Sequence, residues 1–431
     1  MWQPVNNSPL IVFRILFGIV ITGQCLYSLC NGIVEKFYIL PGYNFTFIGF
    51  EWLNYLHGAG MYFYFSVMIL LGLMIAFGLF YRIAIIMFAI LWSGIYLSSK
   101  TQYNNHYYLI LLLCWLMVFI PANKRNSLDV KISPAIFSNN CYQWQVWLFI
   151  FQVACMYFFA GLAKLNYDWL HAVPLKYWLP LKTGIPYIGH FLRNPLMPWL
   201  IAYGGLLLDL LVVPGLLYYR TRKLVFIILI AFHLFNGIVF QIGSFPFLAV
   251  SLSVFFFPAT FFDKALLSNN QDRTQLNHSD IYKRWVNIAL SVYITLQIFL
   301  PIRHLLIKGS VSWTEEGHRM AWQMMLRSKR GEMFFSVKDK KNDSVWRIQP
   351  NTIINKESLR EIAVLPDVTW QAAQVLKNKY ASQKLNVAIY AHCNVSLNYK
   401  AYKMLIDTTV DLSSVKWNYF RHNNWILLYD N

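Results

Sequence analysis

The chain has 431 residues, 57% of them hydrophobic, 18% aromatic and only 13% charged. A soluble domain carries about 25% charged residues, so a wholly soluble protein is excluded, as are a disordered chain, a collagen-like repeat and a disulfide miniprotein. The net charge of +18 (37 Lys and Arg against 19 Asp and Glu) is scattered, with no basic stripe or nucleic-acid motif, so no nucleic-acid partner is expected.

The opening MWQPVNNSPL has no basic n-region and no clear cleavage site, and reads as the lead into a retained first span. A span needs about 20 mostly apolar residues. Candidates fall at 9–30, 60–80, 83–99, 105–121, 143–164, 198–219, 224–241, 243–262 and 286–306, about nine in all. Gly243-Ser244-Phe245-Pro246 breaks one long apolar stretch, so a re-entrant hairpin there, and eight spans, is the alternative. The long, aromatic-rich loops 31–59 and 165–197 read as short interfacial helices. With nine spans, the loops on the N-terminal side carry Arg82, Lys124, Arg125, Lys131, Arg220, Arg222, Lys223, Lys264, Arg273, Lys283 and Arg284. The opposite side carries Lys36, Lys100, Lys176, Lys182 and Arg193. The positive-inside rule then places the N-terminus in the cytoplasm and the C-terminal region outside it.

Residues 307–431 change character. Segments 333–338 and 344–349 flank Lys340-Lys341-Asn342-Asp343 and predict a hairpin. Residues 367–382 predict an amphipathic helix with Asp367 as N-cap, and strand-like runs follow at 386–398, 402–406 and 424–429. The expected fold is mainly α: a polytopic membrane helix bundle (1–306) carrying a small extracytoplasmic α+β domain (307–431). The six cysteines form no CxxC, and most read as small buried hydrophobes.

Ionisable groups inside spans are costly and are therefore functional candidates. They are Arg14, His106, Lys164, Asp209 and His233. Lys164 ends an apolar helix: it either snorkels to the interface or is desolvated into a usable base. His106 opens the fourth span and is either an interfacial histidine or a proton donor. Both lie on the outer side and can share a pocket. His233 and Asn236 are deeper, where they either bond another helix or contact a quinone oxygen. Arg14 and Asp209 read as structural partners of each other or of backbone carbonyls. No HExxH, CxxC or i, i+4 histidine pair exists, so no metal is expected. After the last span, His304, Trp313, His318, Arg319, Trp322 and Met324 form either an aromatic interface anchor or a cationic mouth suited to a carboxylate.

Several strings, taken in order, resemble the vitamin K-dependent γ-glutamyl carboxylase family, also called the horizontally transferred transmembrane domain family. They are Ile11-Val12-Phe13-Arg14, Asn104-Asn105-His106, Phe159-Ala160-Gly161 with Lys164 and Asp168-Trp169, Gly205 to Leu210, Phe232-His233 with Asn236, and Trp313-Thr314 with Trp322-Gln323-Met324-Met325. The chain looks like a compact bacterial homologue without the long C-terminal extension of the animal enzymes. The resemblance implies O2-dependent oxidation of reduced vitamin K (phylloquinol or menaquinol) to its epoxide, coupled to CO2 capture by glutamate of a peptide or protein. It assigns hydroquinone deprotonation to Lys164 and proton delivery to His106. It places His233, Asn236 and Asn105 at the quinone, and His304, Trp313, His318, Arg319, Trp322 and Met324 near the glutamate. The lipid bilayer and a quinone epoxide reductase are the other partners it implies. His318, Arg319 and Arg327 depart from the vertebrate pattern. Epoxidation without peptide carboxylation is thus an alternative, as is a non-catalytic lipid- or quinone-binding membrane protein.

Overall fold

A computed structural model describes residues 1–41, 43–263, 266, 279–352 and 359–429. Lys264 and Arg273, two of the cations used to orient the chain, lie outside these residues. Among the described residues seven helices are long and apolar enough to cross a membrane: Ser8–Cys30, Gly60–Phe77, Tyr81–Ser98, Gln143–Lys164, Met197–Leu217, Arg222–Phe240 and Asp280–Leu306. Two further apolar segments form shorter helices, Asn105–Phe119 and Phe245–Phe256. At 1.5 Å per residue both fall short of a hydrocarbon core of about 30 Å. Their limits are local. Asn104 caps the first by accepting the Tyr107 amide, and Pro121 follows its end. Gly243, at φ +64°, and Pro246 in the first turn separate the second from the helix before it.

The first two long helices pack through small residues. Gly18 and Thr22, one turn apart, face Gly72 and Ala76. A Cβ added to Gly18 would sit 2.5 Å from the Ala76 amide nitrogen, and one added to Gly72 would sit 2.4 Å from Thr22 Oγ1. Lipid offers no hydrophobic drive between helices, so this close approach supplies the dispersion that holds them. The last long helix is peripheral, only 11% buried, and touches the bundle through Tyr293 to Gln152 and Gln297 to Tyr108. The loops at 31–59 and 165–197 contain short helices, among them Glu51–Tyr55, Tyr167–Leu170 and Val173–Trp178. All six cysteines are free, and only Cys30 is exposed.

The appended domain is a four-stranded antiparallel sheet in the order Val345–Ile348, Lys329–Asp339, Val387–Leu397, Lys403–Met404. The hairpin register pairs Phe335 with Ile348 and Lys338 with Val345. Alternate residues Phe335, Val337, Ile389 and Ala391 face the helix Pro366–Ser382, which buries Val368, Ala372 and Leu376 against them. The run at 424–429 makes a single bridge, Ile426 with Ile406. The helix is capped by Leu365, so Asp367 is not its N-cap; it lies inside the first turn and its carboxylate turns toward the membrane bundle.

That domain is docked on the bundle by the extended segment 43–48. Phe45 joins the domain's core, Lys100 donates its amide to the Phe45 carbonyl (2.7 Å), and Gln371 donates to the Thr46 carbonyl (3.1 Å).

Replacing Gly18 with Val forces a branched side chain into the Ala76 backbone. The expected loss is about 1–3 kcal/mol, read as a lower thermal midpoint in detergent, whereas Gly23→Val, with no atom within 4 Å of its added Cβ, leaves the midpoint unchanged.

Candidate active site

The helix Gln143–Lys164 places Tyr157, Gly161 and Lys164 on one face, at spacings of four and three residues. Gly161 allows the helix Met197–Leu217 to approach: its added Cβ would meet Leu210 at 2.6 Å and the Asp209 Cβ at 3.4 Å. The approach brings Lys164 Nζ to 2.5 Å from Asp209 Oδ2, with the two side chains 8% and 7% exposed. Lys164 also donates to the Ala160 carbonyl (3.4 Å) and lies 5.3 Å from the Trp169 ring centroid. It therefore does not snorkel into water. Two turns back, Tyr157 Oη is 2.7 Å from His233 Nε2. The other ring nitrogen, His233 Nδ1, is buried and unpartnered among the described residues.

These groups open into one cavity of about 490 Å³. Its membrane half is walled by Phe232, Phe240, Phe245, Trp169 and Ile201, and His106, His233, Asn236, Lys164 and Asp209 line it. Phe245 of the short helix lies near both histidines, with its ring centroid 6.3 Å from His106 and 5.4 Å from His233. Gly243 backs His106 closely, since a Cβ there would lie 3.5 Å from Nε2. The interrupted apolar stretch thus forms one side of the cavity. Asn105 fastens the cavity's edge: it accepts from Tyr103 Oη (3.1 Å) and donates to the Gln323 carbonyl (3.2 Å).

The appended domain and the segment leading to it roof this cavity with charge. Arg327 makes a two-pronged contact with Glu315, Lys329 lies 3.3 Å from the same carboxylate, and His318 Nδ1 lies 3.4 Å from it. Asp367 receives Lys100 from the bundle at 2.8 Å and Arg319 at 2.6 Å. Burial alone would raise both carboxyl groups, but the cations prevail, holding Glu315 at about 2 and Asp367 well below the usual carboxylate range. Burial, reinforced by Arg319, pushes His318 down to about 3, so its ring is neutral at pH 7. The cationic mouth expected around His318 and Arg319 is therefore a network of compensated pairs, with His318 uncharged.

A family model described as the HTTM domain matches residues 2–261, and one described as the vitamin K-dependent gamma-carboxylase, lumenal domain, matches residues 282–431. The chain belongs to the vitamin K-dependent γ-carboxylase family. No solved structure matches it. The two matches support a carboxylase-like, vitamin K-dependent membrane enzyme whose C-terminal domain is extracytoplasmic. The second match begins inside the last long helix.

Of the residues singled out in this carboxylase-family chain, Lys164, His106, His233, Asn236, Asn105, His318, Arg319 and Met324 line the cavity. His304, Trp313 and Trp322 are not part of the lining. Trp313 Nε1 donates to the Leu427 carbonyl (2.8 Å) inside the appended domain. Trp322 packs on Tyr108 at 5.0 Å between centroids, within the bundle core. His304 Nδ1 donates to the Pro301 carbonyl (2.8 Å). Asp209 and Arg14 are not partners of each other. Asp209 pairs with Lys164, and Arg14 donates to the carbonyls of Ala122, Arg125 and Asn126. Tyr157, Glu315, Lys329 and Lys100 were not singled out as site residues. Two of them carried a local signal: Tyr157 stands two helical turns before Lys164, and Lys100-Thr101 precedes Asn104-Asn105-His106 in a string that resembles the carboxylase family. Among the described residues no group of three or more His, Cys, Asp or Glu converges as a metal site.

Acidification should weaken the fold through His318. The unfolded ring takes a proton near 6.5 and the folded one only near 3, so the unfolded state binds more protons between those values and stability falls as pH drops through that window. Chemical denaturation between pH 7.5 and 4.5 should show this decline, and His318→Gln should make it shallower. An unchanged slope would remove His318 from this role.

Proposed function

We propose that the protein couples oxidation of reduced vitamin K by O2 to γ-carboxylation of protein glutamate, with chemistry in the bundle cavity beneath the extracytoplasmic domain. The observation that carries this reading is a buried Lys164–Asp209 pair opening into the same aromatic cavity as His106 and His233. A flat, largely apolar quinol with two oxygens fits these residues. Phe232, Phe245 and Trp169 offer ring faces. The buried His233 Nδ1 lacks a partner and, in either tautomer, complements a quinol oxygen: a donor if Tyr157 donates to Nε2, an acceptor if Nε2 donates to Tyr157. When bound, the reduced quinone supplies, with O2, an oxidatively generated base strong enough to remove a glutamate γ-proton.

The protein's own part is to start and protect that chemistry. Lys164 accepts a hydroxyl proton only as the free amine. Asp209, 2.5 Å away, is placed to take the ammonium proton and leave Lys164 as the amine. Tyr157 holds the His233 ring in place, and His106 stands near Phe245 as a proton donor to the cavity. The bundle and the roof exclude water, which would quench a strong base. Of the residues expected near the glutamate, His318, Arg319 and Met324 line the cavity. Counted with nine spans, in which the two shorter apolar helices also cross, the charge asymmetry of the loops supports a cytoplasmic N-terminus, and continued turnover calls for a quinone epoxide reductase.

A second reading, quinol epoxidation without peptide carboxylation, is favoured by one observation: the charges of Arg319 and Arg327 are already paired with Asp367 and Glu315, which leaves neither guanidinium with an unmatched charge for a substrate carboxylate.

Purified protein in detergent, given menaquinol or reduced vitamin K, O2, labelled bicarbonate and a glutamate peptide, should produce both epoxide and labelled peptide. Epoxide without label would support the second reading. Neither product from folded, quinol-bound protein would leave a non-catalytic quinone binder. Lys164→Ala should abolish epoxide formation while the fold persists, and Asp209→Asn should lower kcat by about 10²-fold or more with KM little changed. Wild-type turnover in Asp209→Asn would exclude Asp209 from the proton path.

A further inference from the structure

We propose that the face of the bundle opposite the active-site cavity carries a binding site for an anionic glycerophospholipid. A second large cavity, of about 840 Å³, lies between the first two long helices and the segment 125–131, and Arg14, Arg125 and Lys131 line its polar end. Arg14 is fully buried. Its terminal nitrogens donate to the carbonyls of Ala122 (3.0 Å), Arg125 (3.3 Å) and Asn126 (2.5 Å), while its Nε has no partner. Carbonyl dipoles satisfy hydrogen bonds but leave the charge uncompensated, which is expensive at membrane depth.

No carboxylate forms an ion pair or hydrogen bond with Arg14 among the described residues, although Asp129 is near enough to act on it through space. Asp129 is engaged by the amides of Phe80 (2.7 Å) and Tyr81 (3.0 Å) and by Asn123 (2.7 Å). Asp263 lies with Arg125 at 3.4 Å and accepts from Ser8 Oγ at 2.6 Å. Lys131 is exposed and makes no ion pair among the described residues. Among the described residues the cavity therefore joins an arginine paired with a carboxylate, one held only by carbonyls, and a lysine without an ion pair.

Its other wall is apolar and faces outward. Ile15 and Ile19 on the first helix, and Leu73 and Phe77 on the second, each form an i, i+4 pair that lines the cavity; Ile19 is 56% and Phe77 61% exposed. A phosphate at the arginines with acyl chains along Ile19, Leu73 and Phe77 satisfies both ends, and a basic pocket between helices is the arrangement that selects anionic headgroups. A free phosphate shares the headgroup chemistry but has no use for the apolar wall.

The test uses the full chain, purified and delipidated in maltoside detergent, with lipid affinity read from the rise in thermal midpoint during titration. Phosphatidylglycerol should bind at least tenfold more tightly than phosphatidylcholine, and inorganic phosphate should give no comparable rise. Arg14 also ties the first helix to the 122–126 segment, so its replacement endangers folding. Lys131, being exposed, is the better probe. Lys131→Gln should weaken phosphatidylglycerol about fivefold and leave phosphatidylcholine unchanged, and Phe77→Ser should weaken both lipids. Equal affinity for the two lipids, no effect of Lys131→Gln, or protection by inorganic phosphate equal to that by phosphatidylglycerol would each overturn the proposal.

Discussion

A lysine and an aspartate held 2.5 Å apart inside an apolar bundle are the constraint around which the rest of this protein is arranged. Two charges so far from water are tolerable only if geometry and further hydrogen bonds compensate them. Here the geometry depends on Gly161, whose missing side chain lets the Met197–Leu217 helix come close enough for Asp209 to reach Lys164. The same face carries Tyr157, which anchors His233. One glycine on one helix thus organises two neighbouring helices and four polar side chains.

The same principle of paired charge governs the join between the two parts of the chain. Lys100, from the loop between two membrane helices, reaches Asp367 in the appended domain, and Arg319 completes the cluster. Within the C-terminal part, Glu315 likewise pairs with Arg327 and Lys329. Removing one partner from such a cluster strands a buried charge, so the interface holds the roof in one position over the cavity. The short helix after Gly243 contributes in another way. It brings the Phe245 ring near both His106 and His233, adding an aromatic wall to the cavity.

Much of this architecture was legible in the chain. The apolar runs, the hairpin around 340–343, the amphipathic helix near 367–382 and the break at Gly243-Ser244-Phe245-Pro246 are local features, and periodicity or turn chemistry reports them directly. Lys164, His106 and His233 stood out because charge and imidazole are rare in hydrocarbon. Asp209 stood out for the same reason, but its partner did not, since a helix's own sequence does not say which neighbour its polar residue faces. Asp367 shows the limit most plainly. At a helix start an aspartate looks like a cap, and only the docking of the sheet domain onto the bundle reveals it as the acceptor of two cations from elsewhere in the chain.

Composition and order of residues by themselves determined that this is a helical membrane protein with an α+β appendage, and which few ionisable groups its apolar segments contain. Those are consequences of transfer free energies summed over neighbouring residues. Which charges meet was decided only by tertiary structure. The Lys164–Asp209 pair, the removal of Trp313 and Trp322 from the cavity into two separate cores, and the neutral His318 all depend on contacts between segments distant in sequence. Electrostatic energy in a dry interior varies with separations of a few ångströms, and that distance is a property of the fold.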